Sequence, residues 1–517
     1  MMLTTPAHGA KVRTRVTPVD EATRKFARRV WASSPKGMPL RERPSRPSAG
    51  LGFTNSPLYL ERQVKGVAFT KHPGGSLRRE RSARPWCRAQ VSELSGATRA
   101  PNTVLRIACV GDVHDQWSNQ DVLLLDAVVK PDIVLFTGDY GNENVRLVRA
   151  IADYAAERTS RRGSPRFIAS MFGNHDAWYT ASPRRFLRQK HASGAFGSFL
   201  EQLESEDSVG QQLALLRDID VGYRARSLNL GRTTEEPLLT IVGGRPFSWG
   251  GPQWCYPRFY EDYFQVHSME ESASRIRTCV HDEIERVWQT KARSWSPMDH
   301  PKATFMDERP CLGVHQVLFL AHNGPLGLGD EPHSICGRDF RAGPGSDFMP
   351  SGDFGCPDLA AAIQALKDAP KIPLQCLGAT VHVDIPLCVF GHMHERLQCD
   401  PQGYGLRQMV VEQNGTVYVN AAVVPRIRPA AAMEELSGAV SSVERDRRYH
   451  CFTIIDLEQG RVSATVAADL VRNSEYVSVY QVSRVCQMWI PADAPHAFSY
   501  ETCLYERAPT QVAKKTT

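Results

Sequence analysis

The sequence has no long apolar segment of the kind that crosses a membrane. None of its 517 residues lies in a run approaching the ~18–20 apolar residues that a transmembrane helix needs. The best apolar runs, such as Val122–Val129 and Ile385–Phe390, have the length of core segments. We therefore expect a protein that is soluble or at most peripheral, without a membrane as partner.

The cysteines do not form a recognisable framework either. The 13 cysteines are an odd number, and they contain no Cys-x-x-Cys pair and no zinc-ribbon spacing. A disulfide framework is denser and belongs to short secreted chains. This pattern favours free or buried thiols in a reducing compartment.

Acidic side chains are scarce at the N-terminus but not elsewhere. Residues 1–100 contain 20 basic and 6 acidic side chains, whereas residues 101–517 contain 42 basic and 50 acidic ones. The net charge of +6 therefore arises in the first segment. Nucleic-acid binding needs a basic patch on the folded part, so a nucleic-acid partner is disfavoured.

The first 100 residues also differ in composition. They are rich in Arg, Ser, Thr and Pro, and they lack the apolar region of a secretory signal. This composition is typical of an organelle transit peptide, so residues 1–100 are predicted to be a disordered targeting segment or linker. Plastid import is favoured, while mitochondrial import and a retained cytoplasmic basic tail are the alternatives.

Short apolar segments, each ending in a polar turn, recur from Val104 onwards. Helix-like segments follow the first two, at residues 121–129 and 145–156. Strand, turn, helix and strand in this order predict a largely parallel sheet, whose carboxyl edge collects ligands. The predicted strands are Val104–Val110, Asp132–Phe136, Arg166–Phe172, Val317–Ala321 and Leu387–Phe390.

Two long segments interrupt this plan. Residues 182–316 are predicted to be an insertion with a strand at Leu238–Gly243, an aromatic-rich segment at Phe247–Phe264 and a helix at Glu270–Ala292. The glycine-rich segment Gly324–Gly355 shows no periodicity and is predicted to be a loop.

The region after Gly391 is strand-like. We predict that its strands extend a second sheet, that the domain covers residues 101–480, and that residues 481–517 form a C-terminal extension. The predicted strands are Thr416–Asn420, Cys451–Leu457 and Val462–Ala467.

Five polar motifs follow the predicted strands. Any one of these motifs alone would be an ordinary turn, but five such motifs at one sheet edge predict a metal site. Their carboxylate, imidazole and amide groups suit Mn²⁺, Zn²⁺ or Fe. Two divalent ions ~3.5–4 Å apart need a bridging carboxylate, and Asp139 stands alone at its turn. The motifs are Gly111-Asp112-Val113-His114, Gly138-Asp139, Gly173-Asn174-His175-Asp176, His322-Asn323 and Gly391-His392-Met393-His394.

This set resembles the calcineurin-like metallophosphoesterase superfamily over about residues 104–425. The resemblance implies an α/β fold, namely a four-layer αββα sandwich carrying the long helical insertion. It also implies His175 as a catalytic histidine that binds no metal, with Asp176 beside it. The first of two divalent ions would take Asp112, His114, Asp139 and His394. The second ion would take Asp139, Asn174, His322 and His392.

The longer motifs resemble a branch of the superfamily found in cyanobacteria and plastid-bearing eukaryotes. They are Gly111–Trp117, Gly138–Glu143, Asn174–Tyr179 and Ala321–Gly329. Serine/threonine protein phosphatases of the superfamily carry Asp-Arg-Gly after the second Gly-Asp and Glu after Asn-His. This chain instead has Tyr140-Gly141-Asn142-Glu143 and Asp176 at those places. That subgroup is therefore disfavoured.

We expect a hydrolase that cleaves a small phosphomonoester or phosphodiester through a metal-bridging hydroxide. His175 is predicted to act as general acid, oriented by Asp176 or Asp112, although Asp176 equally suits helix capping. A non-catalytic metal-binding scaffold and a nuclease are the alternatives. Candidate substrate contacts in the two long segments are Arg245, Trp254, Arg338 and Asp353.

Overall fold

The computed structural model describes part of the chain, in several stretches. The chain divides into two units, Met1–Glu93 and Leu94–Thr517, and every described residue lies in the second unit. The predicted targeting segment lies outside the described residues. The described residues are 104–160, 167–181, 207–228, 238–293, 310–339, 352–399, 405–430, 432, 447–463, 476–492 and 499–507.

The described strands form two sheets of seven strands each. The first sheet contains, in spatial order, β14 (Tyr500–Glu506), β13 (Tyr476–Pro491), β12 (Arg448–Ser463), β1 (Val104–Val110), β2 (Ile133–Phe136) and β3 (Phe167–Ser170), with β11 (Ile427–Pro429) beside β12. The second contains β4 (Ala225–Leu228), β5 (Leu238–Gly243), β6 (Cys311–Leu320), β8 (Ala379–Phe390), β10 (Thr416–Asn420) and β9 (Val410–Gln413), with β7 (Lys371–Leu374) beside β8.

Helices cover the outer faces of the sheets. The two helices predicted after the first two strands are present, the first continuing as a π-helical turn over Leu125–Val129. No described helix has both the length and the apolar character needed to span a bilayer. The described helices are α1 (Asn119–Leu124), α2 (Val145–Ser160), α3 (Ser208–Leu215), α4 (Pro257–Phe264), α5 (Met269–Ala292) and α6 (Pro357–Asp368).

Alternating side chains build four layers. In β1, Ile107 and Cys109 pack into the core between the two sheets, whereas Ala108 and Val110 pack into the core beneath α1 and α2. The outer face of the second sheet forms its own core with α5 and α6. Because both faces of each sheet are buried, the strands are nearly continuous apolar runs. This is the αββα sandwich that the resemblance implied.

The central strands of both sheets are parallel. In the first sheet β1, β2 and β3 run in the same direction, and in the second sheet β5, β6, β8 and β10 do so. The loops after β1, β2, β3, β6 and β8 carry the five polar motifs. The prediction of one sheet for these five strands is corrected, because β1, β2 and β3 lie in the first sheet and β6 and β8 in the second. The carboxyl-end loops of both sheets nevertheless meet at one edge of the sandwich.

Part of the predicted insertion belongs to the sandwich itself. Strand β5 pairs with β6 in parallel, β4 pairs with β5, and α5 covers their outer face. The prediction treated residues 182–316 as an interruption of the sheet. It did not pair β5 with β6, because a long segment of chain separates these two strands. The strand and the helix expected there are confirmed, while residues 182–206, 229–237 and 294–309 lie outside the described part.

The C-terminal strands also differ from the prediction. The strand expected at Cys451–Leu457 does not extend the second sheet, because β12 pairs antiparallel with β1 in the first. Strands β13 and β14 continue that sheet across the predicted boundary at residue 480. The strand predicted at Val462–Ala467 is described only to Ser463, where β12 ends.

Candidate metal centre

The loops at the carboxyl edge bring the predicted ligands together. Three groups of side chains each place their ligand atoms within 4.8 Å of one another. Asp139 and His114 each belong to two of these groups, so the groups form one connected cluster. They are Asp112, His114 and His394; His114, Asp139 and His175; and Asp139, His322 and His392.

The first half of the cluster matches the first predicted metal position. The Nε2 atoms of His114 and His394 lie 3.3 Å apart. His394 Nε2 lies 3.6 Å from Asp112 Oδ2, and His114 Nε2 lies 3.8 Å from Asp139 Oδ2. Two imidazole nitrogens and two carboxylate oxygens at these distances form a donor set suited to Zn²⁺, Mn²⁺ or Fe²⁺.

The second half surrounds His322. Its Nε2 atom lies 2.9 Å from Asn174 Oδ1 and 3.2 Å from His392 Nδ1. It also lies 3.4 Å from Asp139 Oδ1. Asp139 therefore presents one carboxylate oxygen to each half, which is the arrangement expected of a bridging ligand.

Neighbouring groups orient these ligands. The Nδ1 atom of His322 lies 2.8 Å from the main-chain oxygen of Thr137 and donates to it, which turns Nε2 towards Asn174 and His392. The Thr137 hydroxyl donates to Asp112 Oδ1 at 3.3 Å. The main-chain N–H of His392 donates to Asp112 Oδ2 at 3.0 Å. Ligands from the two sheets thus hold one another in place.

The electrostatics of the cluster favour a bound cation. Burial, aided by the charge of Asp139, raises the pKa of Asp112 to about 7. Burial also opposes ionisation of Asp139, but the surrounding imidazoles, led by His322, outweigh it and lower the pKa. Burial lowers the pKa of His394 to about 3 and that of His392 well below its usual range. The imidazoles of His392 and His394 are therefore suited to act as neutral ligands, and a divalent ion would stabilise the buried carboxylates.

Several ligand residues have a left-handed backbone. The φ angles are 36° at Asp112, 41° at His114, 51° at Asp139 and 69° at His392. This region costs L-residues roughly 1–2 kcal/mol each, and such strain is concentrated at functional sites. Four of the 13 described non-glycine residues with positive φ are thus predicted metal ligands, and Asp115 and Glu143 in the same loops share this conformation.

Glycine is required where these loops cross. A Cβ atom at Gly173 would lie 2.2 Å from Asp139 Oδ1, and one at Gly391 would lie 2.1 Å from Asp112 Oδ1. The absence of a side chain at these two positions lets ligand loops of different strands come into contact.

His175 lies at the junction of the two halves. Its Nε2 atom is 4.0 Å from Asp139 Oδ2, and its main-chain N–H donates to Asp139 Oδ1 at 2.8 Å. Its Nδ1 atom lies 2.6 Å from Asn142 Oδ1. Asn142 is a functional residue that the sequence reasoning did not select, although it follows Asp139 by only three positions.

Asp176 has a structural role. Its carboxylate is fully buried and accepts the main-chain N–H groups of Tyr140 and Gly173, each at 2.8 Å. Burial and the charge of Asp139 raise its pKa well above the usual range. The prediction that Asp176 or Asp112 orients the His175 imidazole is therefore corrected, because both carboxylates bond other groups and the imidazole bonds Asn142.

Two predicted substrate contacts belong to the packing. The side chain of Arg245 is buried, and its Nε atom lies 3.0 Å from Asp358 Oδ2. The guanidinium lies 5.0 Å from the centre of the Trp254 ring. An ion pair of this depth is a structural element. Arg245 is therefore not placed to contact a substrate, and Trp254 packs against it.

Asp353 organises the glycine-rich loop. Its carboxylate accepts the main-chain N–H groups of Gly327, Leu328 and Gly355, at 2.6, 3.1 and 2.8 Å. Three amide donors account for the role of this carboxylate without a substrate. Asp353 thus shapes the loop that follows His322, and the substrate role predicted for it has no support in the geometry.

Arg338 is connected to the predicted ligands through Phe354. Its guanidinium is 5.4 Å from the centre of the Phe354 ring. The Phe354 ring is nearly parallel to the His392 imidazole, with centroids 6.5 Å apart and an interplanar angle of 14°. The contact of Arg338 with a substrate stays a prediction.

The fold and the donor set define an α/β protein with a site for divalent metal. Residues 105–246 match the family model of the calcineurin-like phosphoesterases, so the chain carries a domain of this family, as the motifs indicated. Together with the converging donor groups, this match indicates a metal-dependent phosphoesterase. A comparison with curated proteins found no match.

Several solved structures are similar at low scores. They include a dimetal phosphatase from Danio rerio (11% identity, TM-score 0.28, 78% of this chain and 99% of that chain). The phosphopantetheinyl hydrolase PptH from Mycobacterium tuberculosis has 12% identity, a TM-score of 0.25 and coverages of 62% and 91%. The purple acid phosphatase PPD1 from yellow lupin has 12% identity, a TM-score of 0.28 and coverages of 77% and 53%. Scores this low say nothing about the activity of this chain.

Proposed function

We propose that this protein is a dinuclear metallophosphoesterase that hydrolyses a small phosphomonoester or phosphodiester. The observation that carries the proposal is the position of Asp139 between two donor groups. Its Oδ2 atom lies 3.8 Å from His114 Nε2, and its Oδ1 atom lies 3.4 Å from His322 Nε2. Seven protein ligands divided in this way suit two ions that share one carboxylate.

The ions, when bound, would supply a hydroxide nucleophile near neutral pH and neutralise the phosphate oxygens. The chain supplies the proton donor. With both ring nitrogens protonated, His175 donates its Nδ1–H to Asn142, 2.6 Å away, and directs its Nε2–H towards the junction of the donor groups. General-acid assistance of this kind is worth ~10²–10⁴ in rate.

The test uses the full chain, stripped of metal and reloaded separately with Mn²⁺, Zn²⁺ or Fe²⁺. We expect two ions per chain by elemental analysis, and turnover on a panel of phosphomonoesters, phosphodiesters and nucleotides. One ion per fully active chain would contradict the dinuclear arrangement.

The same panel separates the alternatives. Two bound ions without any turnover would favour the non-catalytic scaffold. Cleavage restricted to nucleic acid would favour the nuclease, against which the excess of acidic over basic residues in 101–517 argues.

We also propose that the basic N-terminal segment directs plastid import. The proposal rests on the 20 basic and 6 acidic side chains of residues 1–100 and on the resemblance of the longer motifs. A fluorescent fusion of these residues should enter plastids, and entry into mitochondria or retention in the cytoplasm would contradict it.

A further inference from the structure

We propose that Trp178 is a positioning residue for His175, holding the imidazole so that Nε2 meets the departing oxygen of the substrate. The inference rests on the proposed function, because it assigns a role in the proton transfer of that reaction. It concerns a residue that binds no metal and that none of the five motifs requires.

The stack begins in the local sequence. Residues Asn174–Ala177 form a 3₁₀ turn, and the main-chain N–H of Trp178 donates to the oxygen of His175 at 3.2 Å. Three residues per turn bring side chains three positions apart into register. The Trp178 ring therefore lies over the His175 ring, with centroids 4.4 Å apart and an interplanar angle of 13°.

Trp249 supports the stack from the other side. Its ring lies parallel to that of Trp178, with centroids 4.9 Å apart and an angle of 23°. Two rings stacked this closely do not fit on one face, so His175 and Trp249 occupy opposite faces of Trp178. Because both faces are covered, Trp178 is unsuited to stacking on a substrate, which favours a positioning role.

The main chain holds Trp249 at this place. A parallel bridge pairs Gly173 with Ser248, and the N–H of Phe247 donates to the oxygen of Phe172 at 2.9 Å. The Phe172 and Phe247 rings also stack, with centroids 5.0 Å apart. The segment that follows β5 of the second sheet is thereby joined to the loop that carries His175.

Glu143 anchors the chain directly after Trp178. Its Oε1 atom accepts the main-chain N–H groups of Tyr179 and Thr180 at 2.7 and 2.6 Å. Its own N–H donates to the oxygen of His175 at 3.0 Å. Since Glu143 follows Asn142, one loop restrains both the imidazole nitrogen and the ring stacked on it.

These contacts restrain the imidazole in two ways. The hydrogen bond to Asn142 sets the direction of Nδ1 within the ring plane. That bond alone leaves the ring able to turn about it, and the Trp178 face prevents this rotation. A misplacement of about 1 Å in a catalytic group can cost ~10² in rate, so the restraint is sufficient to matter.

The consequence depends on the leaving group. As the hydroxide oxygen bonds to phosphorus, the ester P–O bond breaks with its electron pair on the leaving oxygen. That oxygen takes the Nε2 proton of His175, and the imidazole regains a proton from the water that forms the next hydroxide. A phenolate of low basicity, such as 4-nitrophenolate, departs with little help, whereas unsubstituted phenolate needs the proton more.

The test compares phenyl phosphate and 4-nitrophenyl phosphate as substrates of the full, metal-loaded chain. In Trp178→Leu we expect kcat for phenyl phosphate to fall ~10–100-fold and to fall clearly less for 4-nitrophenyl phosphate, with KM and ion content unchanged. Trp178→Phe keeps a stacking face and should restore most of the rate. Trp249→Leu should show the same ordering with a smaller loss.

Trp254→Leu is the matched control, since that indole packs against Arg245, away from the stack. Any loss there should be equal for the two esters. Equal loss for both esters in Trp178→Leu, or no loss, would overturn the positioning role. Absence of wild-type turnover on both esters would instead count against phosphomonoester hydrolysis, and the inference would fall with it.

A measurement without substrate tests the stack itself. With isotope-labelled histidine, the ring protons of His175, assigned through His175→Asn, should resonate upfield because the indole face shields them. In Trp178→Leu they should move downfield. An unchanged position would show that the two rings are not stacked in solution, and the proposal would then be wrong.

Discussion

The two sheets contribute different chemistry to the site. The loops of the first sheet supply both carboxylates, the amide oxygen of Asn174 and the imidazoles of His114 and His175. The loops of the second sheet supply imidazoles alone, from His322, His392 and His394. Negative charge is thus concentrated on one side, whereas imidazoles come from both.

The backbone follows the same division. Asp112, His114 and Asp139 in the first-sheet loops have positive φ angles, whereas His392 is the second-sheet ligand that does. Both buried ligand carboxylates lie in the first-sheet loops, and like charges repel, so these loops hold the ligands that most need a bound cation. The lesson is that removing a ligand from the first sheet should disturb more of the centre than removing one from the second.

The largest effect is expected from Asp139→Asn. The variant should lose ions from both positions, because Asp139 presents an oxygen to each donor group. Activity should fall at least ~10³-fold, since one preorganised charge contact is already worth ~10²–10³. Elemental analysis and turnover check this. Full occupancy of either metal position would contradict the prediction that this first-sheet ligand serves both ions.

His175→Ala should remove turnover without removing metal. We expect a loss of ~10²–10⁴ in kcat, the value of general-acid assistance, with the ion content of the wild type. This variant separates the two tasks of the first-sheet loops. A matching loss of ions would mean that His175 is a ligand, as its membership of one donor group with His114 and Asp139 allows.

His392→Ala tests the second sheet. The His392 imidazole faces His322 and shares a donor group with Asp139, the carboxylate between the two halves, so the ion of the second half should weaken while the other stays. Metal titrations should show a decrease in affinity of at least ~10–100-fold, the range already seen when only a partner of a ligand is removed. Loss of both ions would show that the two sheets do not act separately.

The smallest effect concerns the contact between the end of β3 in the first sheet and the segment that precedes β4 in the second. The N–H of Val221 donates to the oxygen of Ser170 at the end of β3, and Asp220 lies buried beside it. Burial raises the pKa of Asp220 to about 7, only partly opposed by the N–H of Gly222. Its protonated form therefore contributes stability below about pH 4, and this stability is lost as pH rises towards 7.

Asp220→Asn should remove this pH dependence. Between pH 4 and 7, the free energy of unfolding of the wild type should fall relative to the variant by on the order of 2 kcal/mol. Urea unfolding with a chelator present in both samples measures the difference without contributions from bound metal. Parallel pH profiles would contradict the assignment.

Much of the site could be predicted because its signals are local. Buried runs such as Val104–Val110 end in a glycine and a ligand, and each motif was visible within a few residues. Asn142 was missed because its amide contacts His175 only in the folded protein, where the two loops meet. Trp178 lies in the motif Asn174–Tyr179, but no role was predicted for it because its partner Trp249 lies 71 positions further along the chain.

Contacts between distant segments of the fold were also not predicted. Strand β12 was recognised as a strand but assigned to the wrong sheet, because periodicity does not identify the partner of a strand. Arg245 was chosen as a charged residue beside the aromatic segment, and only the folded structure revealed its ion pair with Asp358. Long-range pairing decided both cases.

The sequence by itself determined the buried parallel strands and the polar motifs that follow them, because apolar runs and turn residues act over a few positions. The αββα arrangement and the separate role of His175 were implied only by the resemblance of these motifs to a known family. The tertiary structure alone decided that Asp139 faces both donor groups, that Asn142 and Trp178 restrain the imidazole, and that Asp176, Arg245 and Asp353 are structural. The reason is that hydrogen bonds and ring contacts between distant segments depend on distances that no local pattern encodes.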